Sequence, residues 1–174
     1  MRERVVVKWG GGLITHKDRM KSVRSEVLDD LANQLESCVE AGLDVILVHG
    51  AGSFGHLKAK TYRLAEGRSS TDELPGEMTQ DEAVASVRAD MLELNQHVLN
   101  ALTKYDISAV SLAPHVWARN VGPRFEGDLG MFAAAPSGIV MVTHGDVVDC
   151  DGGKEFGILS GDDIVYRLAA ELPG

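Results

Sequence analysis

Apolar residues recur along this chain in two rhythms. Short unbroken runs, Val5-Val6-Val7 within 4–9 and Val45-Ile46-Leu47-Val48 within 43–48, read as strands covered on both faces, the habit of parallel sheets. Further strands are expected at 107–112 and 139–143. Between them the period lengthens to that of a helix. Val27, Leu28, Leu31, Leu35 and Val39 predict one over 25–41, with Ser25 as its cap and Gly42 as its stop. Val84, Val87, Met91, Leu94, Val98, Ala101 and Leu102 predict a second over 80–104, opened by the capping-box pair Thr79 and Glu82. A last helix begins near Gly161 and turns Ile164, Val165, Leu168 and Ala169 inward.

The remaining segments lack either rhythm. The stretch 57–76 is polar, holds Pro75, and reads as a long surface excursion, a short hairpin or a lid. Residues 113–137, with three prolines, read as irregular, and 147–157 as a hairpin or turn. Strands alternating with helices predict an α/β fold: a three-layer αβα sandwich on a mainly parallel sheet, formed by one domain over 1–174.

Candidate chemistry lies where strands run into glycine. The first strand ends Lys8-Trp9-Gly10-Gly11-Gly12, and the second ends His49-Gly50-Ala51-Gly52-Ser53-Phe54-Gly55-His56. Glycine lets backbone N–H groups approach an oxyanion closely. In parallel sheets both loops fall at the carboxyl edge, where ligands bind. Lys8 is either a phosphate partner or an edge-strand lysine facing solvent. The order is wrong for a Walker loop, in which lysine follows the glycines. Gly50 to Gly55 fits the dinucleotide spacing, yet no acidic residue stands where a ribose would need one. The other reading is an anion site where this loop opens a helix. His56 is then a phosphate donor or a surface histidine, whereas His49 and His144 read as structural. Ser160-Gly161-Asp162-Asp163 precedes the last helix. Asp162 is an N-cap, an organiser of active-site lysines or a partner for Mg²⁺.

Composition narrows the classes. Among 174 residues, 44% are hydrophobic and 25% charged, as in a globular domain. A net charge of −9 argues against nucleic acid as partner. No apolar run approaches the ~18 residues of a membrane span, and no leader pattern opens the chain, so a cytoplasmic protein without a membrane partner is expected. Two cysteines, Cys38 on a helix and Cys150 in a turn, have no metal-binding spacing, and no residue is assigned as a metal ligand.

Lys8-Trp9-Gly10-Gly11-Gly12-Leu13-Ile14-Thr15, the run from Val48 to His56, His144-Gly145-Asp146-Val147-Val148 and Ile158-Leu159-Ser160-Gly161-Asp162-Asp163-Ile164 together resemble the isopentenyl phosphate kinases of the amino acid kinase superfamily. Only Gly12 departs, standing where that family has serine. The resemblance implies ATP-dependent phosphorylation of isopentenyl phosphate to isopentenyl diphosphate, with Mg²⁺, in isoprenoid synthesis by a homodimer. It implies that Lys8, Gly10, Gly11, Gly12 and Gly52 bind ATP phosphates. Gly50, Ala51, Ser53, Gly55, His56, Ser160 and Gly161 would hold the acceptor. Lys17 would stand near the transferred group, and Asp162 would organise the lysines. Met78, Val84 and Ala85 are candidates to line the apolar tail. Family members continue for roughly another third of their length. The expectation is therefore a truncated form, an acceptor-binding lobe without its ATP lobe. The rival functions are a fosfomycin kinase-like enzyme with a phosphonate acceptor, a non-catalytic phospho-ligand module and, more distantly, a nucleotide-binding oxidoreductase.

Overall fold

The computed structural model describes residues 3–70 and 75–173. The chain opens with β1 (Arg4–Trp9) and the single-turn α1 (Gly11–Ile14), followed by α2 (Ser25–Glu40) and β2 (Asp44–His49). A 3₁₀ turn at Gly52–Phe54 leads to α3 (His56–Thr61) and the long α4 (Gln80–Lys104). Then come β3 (Ala109–Ser111), α5 (Pro114–Trp117), β4 (Ala118–Arg119), β5 (Glu126–Gly127) and α6 (Gly130–Ala133). The chain closes with β6 (Val140–His144), β7 (Asp146–Asp149), β8 (Phe156–Leu159) and α7 (Gly161–Glu171).

Four strands form a parallel sheet in the order β1-β2-β6-β3. Alternate residues serve opposite faces. Val45, Leu47, Val140 and Val142 pack under α2 and α4, while Ile46, Val48 and Met141 pack on the other side with Ile164 and Leu168 of α7. The α/β fold is as expected. The second outer layer is not helical alone, because α7 shares it with a small sheet in the order β5-β4-β7-β8. The expected hairpin near 147–157 is the antiparallel pair β7–β8. The region read as irregular supplies β4, β5, α5 and α6.

Other local expectations shift in instructive ways. The capping box holds: Thr79 Oγ1 accepts from the Glu82 N–H, and the Glu82 carboxylate accepts from the Thr79 N–H. Gly42 follows the last turn of α2 with φ +81°, the left-handed geometry of a helix stop. Ser25 does not cap α2; Arg24 takes the cap position, without a side-chain bond. Ala169 faces solvent rather than the core.

The stretch 57–76 is not a loose excursion in its described part. Its first turns are α3, and Tyr62 and Leu64 are buried. Gln80 Nε2 ties the Tyr62 and Gly67 carbonyls to the start of α4. The hairpin or lid reading falls partly on 71–74, which lie outside the described residues. Among the described residues, no helix is long and apolar enough to cross a membrane. Both cysteines are free thiols.

Candidate active site

Three neighbouring strands end alike. Trp9, His49 and His144 stand side by side in register at the carboxyl ends of β1, β2 and β6, and each is followed by glycine. The ladder continues one step into those glycines: the Gly50 N–H donates to the Trp9 carbonyl at 2.9 Å, and the Gly145 N–H to the His49 carbonyl at 3.0 Å. The three rings are buried and form a floor. His49 contacts Asn95 through Nε2 and the Gly50 carbonyl through Nδ1. Burial lowers the His49 pKa. Burial, and then the neighbouring His49, push His144 down to about 3. Both histidines are therefore neutral structural groups, as their positions suggested.

The two glycine loops interlock above this floor. A Cβ added to Gly11 would lie 2.1 Å from the Gly52 nitrogen, and one on Gly50 would lie 2.6 Å from the Gly11 nitrogen. Gly52 has φ +50°, and a Cβ there would lie 2.0 Å from Thr15 Oγ1. Backbone meets backbone at a distance that only glycine allows. Thr15 pins the junction. Its hydroxyl donates to the Gly11 carbonyl at 2.7 Å and accepts from the Ser53 N–H at 3.0 Å. The sequence offered Thr15 only as the last residue of the first motif and not its pinning role, because its partner lies 38 residues away.

A cavity of about 180 Å³ opens over the strand ends. It gathers Lys8, Gly11, Gly50, Ala51, Gly55, His56, Ser160, Gly161 and Asp162 from the expected set. Gly12, Lys17, Gly52 and Ser53 line a neighbouring cleft of about 420 Å³, and His56 borders both. Gly10 lines neither cavity, and a Cβ added to it would meet nothing within 4 Å.

Lys8 stands on β1, an edge strand of the sheet, and is exposed. Its side chain is 35% exposed and its Nζ lies 2.8 Å from Asp162 Oδ1. The stem passes close to Gly161, where an added Cβ would lie 3.6 Å from Lys8 Cε. Ser160, not Asp162, caps α7, since its Oγ accepts from the Asp163 N–H at 3.1 Å. That leaves the Asp162 carboxylate free to meet Lys8.

One wall of the cavity is apolar, built from Ala59, Val87, Met91, Ile158 and Leu159. The expected tail-lining residues are displaced from it. Val84 is in the core, Met78 packs against that core, and Ala85 faces solvent. Val87 and Met91 were legible as core-facing residues of α4, but the strand–helix gap that exposes them to the cavity was not. Asp146 also lines the site, with its side chain fully buried. Burial raises its pKa, against the opposing effect of His115, whose Nδ1 lies 2.6 Å away.

A profile of the amino acid kinase family matches residues 3–173. The chain belongs to that family. Isopentenyl phosphate kinase of Methanothermobacter thermautotrophicus is 30% identical over 172 residues, covering 97% of this chain and 63% of that protein. The Arabidopsis thaliana isopentenyl phosphate kinase is 28% identical over 207 residues, covering 97% of this chain and 60% of that protein. A solved isopentenyl phosphate kinase superposes with a TM-score of 0.83 at 29% identity, over 96% of this chain and 68% of that one. An isopentenyl phosphate kinase solved as a substrate complex gives 0.76 at 27% identity, over 94% and 64%. The chain thus spans a little under two thirds of the length of the curated relatives it matches.

Proposed function

We propose that this chain carries the acceptor side of an isopentenyl phosphate kinase, which transfers the ATP γ-phosphoryl group to isopentenyl phosphate and releases isopentenyl diphosphate and ADP. The observation that carries this reading is the mixed lining of the cavity. Glycine backbone, Lys8 and His56 share it with the apolar side chains of Val87, Met91, Ile158 and Leu159. A phosphate head with a short hydrocarbon tail matches that mixture. The relatives of that name, including one solved with substrate, point the same way.

In this reading an acceptor phosphate oxygen attacks the γ-phosphorus as the bond to the ADP oxygen breaks. No covalent enzyme intermediate is needed, and the protein contributes position and charge. His56 and the Gly50–Gly55 loop hold the acceptor. Lys8, with its ammonium fixed by Asp162, faces the group in transit. In this reading donor phosphates would lie along Gly10, Gly11 and Gly12, and an added Cβ on Gly10 meets nothing within 4 Å. Lys17 and Gly12 border the adjoining cleft, where an added Cβ on Gly12 would lie 3.0 Å from Lys17 Cε. Among the described residues no group of three or more His, Cys, Asp or Glu is arranged to hold a metal ion. Mg²⁺ brought in with ATP would neutralise phosphate charge.

A thermal-shift panel of isopentenyl phosphate, fosfomycin, ATP and NAD tests the reading, because a specific ligand raises the melting temperature by mass action. The largest shift is expected with isopentenyl phosphate. A larger one with fosfomycin would reassign the acceptor, and one with NAD alone would overturn the kinase reading.

A further inference from the structure

Outside the cavity, one carboxylate that the proposed mechanism does not use draws together three elements. Asp90 lies on α4, one residue from Met91 and three from Val87, and its side chain is only 10% exposed. Lys58 of α3 donates to Asp90 Oδ2 and, at 2.6 Å, to Ser86 Oγ. Lys21, from the loop between α1 and α2, reaches Asp90 Oδ1 at 3.1 Å and also pairs with Glu93. Two carboxylates thus balance two ammonium groups.

The contacts close a ring around the turn that carries His56. The Lys21 N–H donates to the Ser53 carbonyl at 3.3 Å, and the Ser22 N–H to Ser53 Oγ at the same distance. From Ser53 the chain runs through Gly55 and His56 to Lys58, which returns to Asp90. Lys21 adopts φ +49°, a left-handed conformation unusual for a residue with a Cβ. The opposite side of the turn is fixed by Thr15 on the Ser53 N–H. His56 itself is exposed, so its place is set by this frame rather than by packing of its ring.

We propose that Asp90 is the positioning residue of this site. Through Lys58 and Lys21 it fixes the turn from Ser53 to His56 against α4, and so sets the distance between His56 and the apolar wall formed by Val87 and Met91. Asp90 does not touch the acceptor. It aligns the turn that carries His56 with the apolar lining, since the same helix carries Val87, Met91 and the clamp. The proposal rests on the acceptor reading above only for the identity of the ligand.

The test compares wild type, Asp90→Asn, Lys58→Met and the double variant in the full 174-residue chain. Backbone amide spectra are recorded without ligand, and isopentenyl phosphate affinity is measured by calorimetry. Each single variant is expected to shift or broaden the Ser53–Leu57 amides while sparing those of α2, and to raise the Kd about tenfold. Because both act through one contact, the double variant should bind no more weakly than Asp90→Asn. Folded single variants with wild-type amides at Ser53–Leu57, or a double variant whose losses multiply, would overturn the clamp. Lys58→Met keeps the test open if Asp90→Asn does not fold. If wild type binds no isopentenyl phosphate, the acceptor reading falls, and the ligand-free amide comparison alone decides the clamp.

Discussion

Lys8 and Asp162 meet at 2.8 Å, joining the end of the first strand to the start of the last helix across the mouth of the cavity. The pair is substantially exposed, so it adds less than about 1 kcal/mol to folding. Under the proposed function its value lies in placing one ammonium over the phosphates. Lys8→Met should leave the melting temperature of the ligand-free protein unchanged or slightly higher. In a version that also carries the ATP lobe, phosphorylation of isopentenyl phosphate should fall by roughly 10²–10³ or more, the effect of losing a transition-state charge partner. Both quantities need to be measured on the same variant. A large loss of apo stability with turnover intact would make Lys8 structural.

The interlocked glycines make a sharper contrast. Gly11→Ala places a methyl group 2.1 Å from the Gly52 nitrogen and has no flexible side chain to displace. It should cost about 3 kcal/mol or more in urea unfolding. Gly10→Ala meets nothing within 4 Å and should leave stability nearly unchanged. Equal stability of the two variants would mean that the loops do not pack as described.

His56 is exposed and belongs to the rim of both cavities. His56→Ala should weaken isopentenyl phosphate binding by about 1.5–3 kcal/mol, the range for a hydrogen bond to a charged group, with the melting temperature held. An unchanged Kd would return it to an ordinary surface histidine.

The paired histidines of the floor give a pH dependence. His49 and His144 are buried, with ring centroids 5.0 Å apart. Both have lowered folded pKa values, His144 to about 3. In the unfolded chain each titrates near ~6.5, so below that pH the unfolded state binds protons that the folded state refuses. Stability should fall with falling pH by about 1.4 kcal/mol per unit for each histidine. Asp146 opposes this. Its pKa is raised by burial, so towards the acid end the folded state holds a proton that the unfolded state has released. Urea unfolding should therefore lose at most about 1.2 kcal/mol per histidine between pH 6 and pH 5, less the opposing share of Asp146. His144→Leu should remove about one histidine's share of that slope. A flat profile would contradict the neutral pair.

Much of the fold was legible because its signals are local. The aliphatic runs of β1, β2 and β6, the apolar stripe of α4 and the Thr79–Glu82 box each lie within one segment. The strand β4 is different. It is two residues long and exists through pairing of Arg119 with Asp149 and of Ala118 with Gly127. No local periodicity can announce it. The site divides in the same way. Glycines at strand ends marked residues that line the cavity, whereas Thr15 and the apolar lining depend on contacts between distant segments. Asp90 did leave a trace. A carboxylate three residues from Val87 and four from Leu94, inside a buried stripe, requires a cationic partner. The sequence did not reveal that the partners would be Lys21 and Lys58.

The central claim is that this cavity recognises a phosphate head joined to a small apolar tail. The most direct measurement is a calorimetric comparison of isopentenyl phosphate, isopentenol and inorganic phosphate binding to the ligand-free chain. Isopentenyl phosphate should bind at least tenfold more tightly than either part, because one cavity offers both polar and apolar lining. Affinity for isopentenyl phosphate equal to that for isopentenol, or to that for inorganic phosphate, would contradict it.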